Sequence, residues 1–181
     1  MKLKKQQIEK LLDRMTILID TNEKDYSHII DVLEVCKKDF EFTKLNFGDY
    51  SFRLNHSLPN LLIDFSHKIS IERKANLDEL IKNLTTGRKR FENELERSKT
   101  SAASLTLMLE NATYEDILRG NYQSKFPSKS FFASILTYQA RYNLDVMFIN
   151  SICSANYIYN RFRYYLRDYL KDVDIWYLTR N

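Results

Sequence analysis

The sequence predicts an α/β fold in which a mixed central sheet is flanked by helices on both faces, and three observations carry that prediction. Short apolar or β-branched runs alternate with longer segments whose apolar residues recur at helical spacing. Three extended segments follow one another in residues 41–74, a meander, before the alternation resumes. Hydrophobic residues make up 44% of the 181, with only three Gly and two Pro, so there is a core to bury and no flexible linker to divide it. One domain over residues 16–181 is expected, preceded by an amphipathic helix in residues 1–15.

In that first helix Leu3, Ile8, Leu11, Leu12 and Met15 recur among Lys and Gln, an accessory element leading into the domain. Residues 16–19, Thr-Ile-Leu-Ile, read as a buried strand ending on Asp20. A helix over residues 26–38 follows, turning on Ile29, Ile30, Leu33 and Cys36. Residues 41–54 are extended and interrupted by Gly48-Asp49, and beyond Pro59-Asn60 come the extended residues 61–65 and 68–74. Asn76 begins a helix, Glu79 three residues later completes a capping-box pattern, and Gly87 falls where that helix needs its C-terminal glycine. A charged helix spans residues 88–99. Leu105, Leu107 and Leu109 alternate with Thr106, Met108 and Glu110, which makes residues 104–110 a strand, and residues 146–149 form a shorter apolar one after two helices. The last long helix, residues 155–171, sets Ala155, Ile158, Phe162, Leu166 and Leu170 on one stripe with Tyr159, Tyr165 and Tyr169.

Composition narrows the chemistry. Cys36 and Cys153 form neither a CxxC pair nor a disulfide framework, which suits a reducing, intracellular compartment. His28, His56 and His67 lack metal-ligand spacing, so any metal is expected on oxygen ligands. No apolar run reaches membrane-spanning length, and the charged residues 1–14 are unlike a signal peptide, so a soluble, unprocessed protein without a membrane partner is expected. Neither GxGxxG nor GxxxxGK[ST] occurs, so ATP-driven chemistry is not encoded. Twenty-eight basic against 24 acidic residues, a net charge of +4, permit a polyanionic partner without requiring one.

Along residues 68–74 side chains alternate between faces, so Ser70, Glu72 and Lys74 point one way while Ile71 and Arg73 point the other. If Asp49 approaches the same edge, two carboxylates and an amine converge. Such carboxylates suit a hard cation such as Mg²⁺ or Mn²⁺, and the lysine suits charge neutralisation at a phosphate under attack. Periodicity alone favours a solvated edge strand, and Gly48-Asp49 is compatible with an ordinary turn.

The run Gly48-Asp49, then Glu72-Arg73-Lys74, then Asp78 resembles the GD…ERKxxxD signature of the XPF-type structure-specific nucleases. Asp20-Thr-Asn-Glu23 looks like that family's D-x-R-E element, with Asn22 where arginine is usual, and Gly87-Arg88 is similar to its Gly-Arg. The resemblance covers residues 16–171 and implies a restriction-endonuclease-like core. It implies a metal site of Asp20, Asp49 and Glu72, with Lys74 as the catalytic lysine. Arg73 is grouped with the catalytic residues and, like Glu23 and Asp78, supports them. Glu110 resembles a similarly placed family glutamate, and Arg88 is a candidate phosphate contact on DNA. It further implies Mg²⁺ or Mn²⁺ as cofactor, branched DNA (a flap, fork or junction) as substrate, and a homodimer. Larger relatives add helix-hairpin-helix or helicase domains, for which this sequence has no counterpart, so it looks like the short bacteriophage versions. Two alternatives stay open: a catalytically silent DNA-binding or assembly partner, and a restriction-type nuclease acting on plain duplex. For the dimer, Tyr157 and Tyr164 lie outside the apolar stripe of the last helix beside Arg161 and Arg163.

Overall fold

Seven strands among the described residues join in one mixed sheet. The computed structural model describes residues 2–55 and 62–172, so His56, the Pro59-Asn60 turn and the first residue of the 61–65 segment lie outside it. Helix α1 (Lys5–Leu12) leads into β1 (Met15–Asp20), α2 (Ser27–Val35), β2 (Phe40–Thr43), β3 (Tyr50–Asn55), β4 (Leu62–Asp64) and β5 (Ile69–Lys74). Then come α3 (Leu77–Leu84), α4 (Arg88–Thr100), β6 (Ser104–Glu110), α5 (Tyr114–Arg119), α6 (Ser128–Tyr142), β7 (Leu144–Ile149) and, after a 3-10 turn, α7 (Ser154–Asp172). Strand order is β2-β1-β3-β5-β6-β7, with β4 against β3. The pairs β1–β2, β5–β6 and β6–β7 are parallel, while β3 runs antiparallel to β1, β4 and β5.

The meander is shorter than the sequence suggests. Residues 41–54 are interrupted at Gly48-Asp49 as expected, but the two halves are not neighbours: β2 lies outside β1 and parallel to it, and the turn carries the chain to the other side of β1, where β3 pairs antiparallel. The half-exposed residues of β2 fit this edge position, whereas all six residues of β1 and of β5 are buried.

Each face of the sheet has its own core. On one, Ile8, Leu11 and Leu12 of α1, Ile29 and Leu33 of α2, and Ile158, Phe162, Leu166 and Leu170 of α7 pack on Ile17, Phe52 and Ile71. Helix α1 therefore shares the domain's core, and Arg163 and Arg167 of α7 hold its Glu9 at 3.0 and 2.8 Å. On the other face Leu80 and Leu84 of α3, Phe91 and Leu95 of α4, and Phe131 and Tyr138 of α6 pack on Leu105, Leu107 and Leu109. Burial of this apolar area, at roughly 25 cal/mol per Å², is the main stabilising force. Among the described residues no helix is long and apolar enough to cross a membrane. Both cysteines are exposed and unpaired.

Candidate active site

Gly48 opens the site because no other residue fits its place. Its φ of +71° is a conformation that suits glycine, and a Cβ there would overlap the Ser70 hydroxyl. That hydroxyl is within hydrogen-bond reach of the carbonyls of Phe47 at 3.0 Å and Tyr50 at 2.8 Å, fastening the turn to β5. Asp49, which immediately precedes β3, is then held on three sides. Its N–H donates to the Ile71 carbonyl at 2.8 Å, its carbonyl accepts from Asp20 N–H at 2.8 Å, and its Oδ2 accepts from Arg73 N–H at 2.8 Å. Burial, and after it repulsion from Glu72, pushes the Asp49 carboxyl well above the usual carboxylate range, against the attraction of Lys74.

The neighbouring strand β5 is central and buried, so the Glu-Arg-Lys run is not a solvated edge. Glu72 and Lys74 share a face as alternation requires, with Lys74 Nζ 2.5 Å from Glu72 Oε1 and 3.8 Å from Glu79 Oε1. Glu79 sits there because Asn76 caps α3, its side chain accepting from Glu79 N–H at 2.9 Å. The Glu79 carboxylate in turn accepts from Ala75 N–H at 2.8 Å, one residue before the cap. Burial works against the Lys74 charge, but Glu72 and Asp49 outweigh it and keep the ammonium protonated. Burial pushes Glu72 up to about 7, opposed by Lys74 and reinforced by Glu94. Glu72 Oε2 is buried and has no hydrogen-bond donor.

Arg73 points to the opposite face. Its guanidinium lies 2.6 Å from Glu110 Oε2, 3.4 Å from Glu23 and 3.3 Å from Asp25. Glu110, buried, also accepts from Ser154 Oγ at 2.5 Å and lies 3.0 Å from His28 Nε2. Burial raises the proton affinity of Glu110, but the hydrogen bonds from Arg73, Ser154 and His28 outweigh it and hold the group below its usual range. Arg73 therefore faces away from Glu72 and Lys74 and ties β5 to the segment after β1, to β6 and, through Glu110, to α2 and α7.

The remaining candidates are dispersed. Asp20 Oδ1 accepts from Asn22 N–H at 2.7 Å and Oδ2 from Leu45 N–H at 2.6 Å, with Lys44 Nζ 3.7 Å away. Both oxygens thus already pin the turn after β1 to the segment after β2. Asp78 accepts from Gln123 N–H at 3.1 Å and Ser124 N–H at 2.7 Å, tying the start of α3 to the loop before α6. Arg88 lies at the start of α4 with its Nε on Glu92 at 2.9 Å. Gly87 is the N-cap of α4 rather than a left-handed helix end, and its N–H donates to the Lys82 carbonyl at 2.8 Å. Among the described residues no three Asp, Glu, His or Cys side chains are gathered as a ready-made ligand set.

The donor chemistry nevertheless fits a hard divalent cation. The half-buried carboxylate of Asp49 and the buried one of Glu72 repel one another, and an oxygen of Glu72 has no donor, a combination that a cation on oxygen ligands would relieve. Sequence reasoning missed His28, Ser154 and Glu94. Phe91, Leu95 and Ser98 mark the buried face of α4, and Glu94 lies on it one turn from each end, the one signal that pointed to it.

The family model of the ERCC4 domain matches residues 19–160. Among solved structures, XPF from Aeropyrum pernix is similar with a TM-score of 0.64 at 19% identity, over 88% of this chain and 65% of that one. XPF from Aeropyrum pernix in complex with DNA is similar with a TM-score of 0.59 at 20% identity, over 90% of this chain and 69% of that one. The chain thus spans under two thirds of the first structure's length, and at these identities the likeness establishes a shared fold. No curated protein matches the chain.

Proposed function

Since the chain belongs to the ERCC4 domain family, we propose that it is a metal-dependent DNA endonuclease that hydrolyses phosphodiester bonds in branched DNA, a flap, fork or junction. The observation that carries this reading is the meeting of Asp49, Glu72 and Lys74 at the buried end of β5, with a Glu72 oxygen lacking a donor. The similarity to an XPF structure that holds DNA supports nucleic acid as the partner.

Asp49 and Glu72 would hold Mg²⁺ or Mn²⁺, which when bound polarises the scissile phosphate and activates water. Lys74, kept charged by Glu72 and Asp49, places a fixed positive charge where the phosphate gains negative charge during attack. Glu79 restrains the lysine from its other side. Arg73, Glu110 and Glu23 hold the strand that presents Glu72 and Lys74 in one register, and Asp78 holds the adjoining loop. Arg88, more than half exposed, can leave Glu92 for a DNA phosphate. The proposal extends to a homodimer through the C-terminal half, supported by the exposed Tyr164 of α7 and Ile152 beside the edge strand β7.

Labelled flap, fork, four-way junction and plain duplex incubated with Mg²⁺, Mn²⁺ or EDTA test the reading. Branched substrates should be cut with either metal and none with EDTA. Equal cleavage of plain duplex would make the protein a restriction-type nuclease, and binding without cleavage would make it a silent partner.

A further inference from the structure

Glu94 reaches from α4 to the turn that carries Asp49. It projects from the inward face of α4, whose Phe91, Leu95 and Ser98 are buried and fix the helix against the sheet. Its Oε1 accepts from Gly48 N–H at 2.8 Å, so it is joined to the turn that presents Asp49. Its carboxyl also meets that of Glu72. Glu72, a residue 4% exposed, gives one oxygen to Lys74, while its Oε2 is buried and receives no donor. Glu94 itself is half-buried. Asp20 differs on each count: its two oxygens are already engaged by backbone amides that hold two loops together.

We propose that Glu94, rather than Asp20, is the third carboxylate that draws a divalent cation to Asp49 and Glu72, and that Asp20 serves as a structural pin. This rests on the reading of Asp49 and Glu72 as a cation site. A cation between these groups replaces the crowding of Glu72 by Asp49 and by Glu94 with attraction. Lys74 alone, bonded to Glu72 and Glu79, cannot neutralise them all. Glu94 keeps its Gly48 hydrogen bond through one oxygen and offers the other.

Calorimetric titration of the full chain with Mn²⁺, without DNA, separates the possibilities. Glu94→Gln retains the Gly48 hydrogen bond but removes the charge, so a purely structural role predicts unchanged binding. The proposal predicts roughly tenfold or greater weakening, in line with the loss of a metal-site partner. Glu94→Asp should recover part of the affinity. Asp20→Asn should bind Mn²⁺ within about twofold of the wild type while melting at a lower temperature in EDTA. Should Glu94→Gln bind as the wild type does while Asp49→Asn abolishes binding, the role of Glu94 is overturned and the site stands. Greater loss in Asp20→Asn than in Glu94→Gln overturns it as well. Absence of Mn²⁺ binding by the wild type, or its survival in Asp49→Asn, defeats the underlying site itself. If Glu94→Gln fails to fold by circular dichroism, Glu94→Asp decides the matter: affinity within about twofold of that of Asp20→Asn supports the proposal only if a Glu94→Ala variant that folds binds at least about tenfold more weakly.

Discussion

Lys74 carries the sharpest consequence among single residues, because its charge is held beside two carboxylates in a buried place. Lys74→Ala should lower turnover by about 10² to 10³ while changing DNA affinity much less, since a preorganised charge acts chiefly on the transition state. Single-turnover rates and binding isotherms measured side by side check this, and weakened binding at normal turnover would make Lys74 a phosphate anchor instead. Glu72 carries a pH signature. Its proton affinity in the fold is raised from an ordinary 4.5 to about 7, so the metal-free folded chain holds a proton that the unfolded chain releases. Its contribution to stability is complete below the lower value and is lost as pH rises through the higher one. In EDTA, the stability of Glu72→Gln relative to the wild type should therefore improve as pH is raised from about 5 to about 8. A difference that stays constant with pH in urea denaturation would contradict the raised affinity. At this scale the shared face of Glu72 and Lys74 was legible from alternation along one strand, whereas periodicity leaves the approach of Asp49 to it open and only the resemblance suggests it. Glu94 was not legible, since its contact with Gly48 spans 46 positions and depends on how α4 docks.

Elements rather than single groups decide how well those residues are aimed. The turn at Gly48 and the opposite-face network around Arg73 fix β5 from its two sides. Gly48→Ala must accommodate both a strained backbone and an overlap with Ser70. It should cost more than about 1 kcal/mol and shift Asp49, seen as a lower urea midpoint together with lost cleavage. Arg73→Ala leaves Glu110 buried without its strongest partner and should cost about 3–5 kcal/mol. A near-neutral effect on stability would show that the network is dispensable. Strands β1 and β5 were readable from apolar runs and alternation, and α3 from Asn76. Gly87 was placed correctly near a helix boundary for the wrong reason, because its φ is negative and it starts α4. The position of β2 was not readable. A four-residue extended segment has no local feature that says whether it pairs beside the next strand or crosses to the far edge, and tertiary pairing settles it.

For the molecule as a whole, the sequence supported the α/β class because two apolar faces of a sheet need helices on both sides, and both cores are present. Assembly was less legible. Tyr157, expected at the surface, packs partly against the core, whereas Tyr164 is 64% and Ile152 81% exposed. If the protein is a homodimer through this region, Ile152→Glu plus Tyr164→Glu should give a folded monomer by light scattering, while a wild type that is monomeric at micromolar concentration would reject the dimer. The central claim, that Asp49 belongs to a cation-dependent catalytic site on DNA, is tested most directly by single-turnover cleavage of a labelled flap in Mn²⁺ by wild type and Asp49→Asn at saturating enzyme. The account predicts cleavage by the wild type and a loss of at least about 10² in rate for the variant, with DNA still bound. Cleavage by Asp49→Asn at the wild-type rate would contradict it.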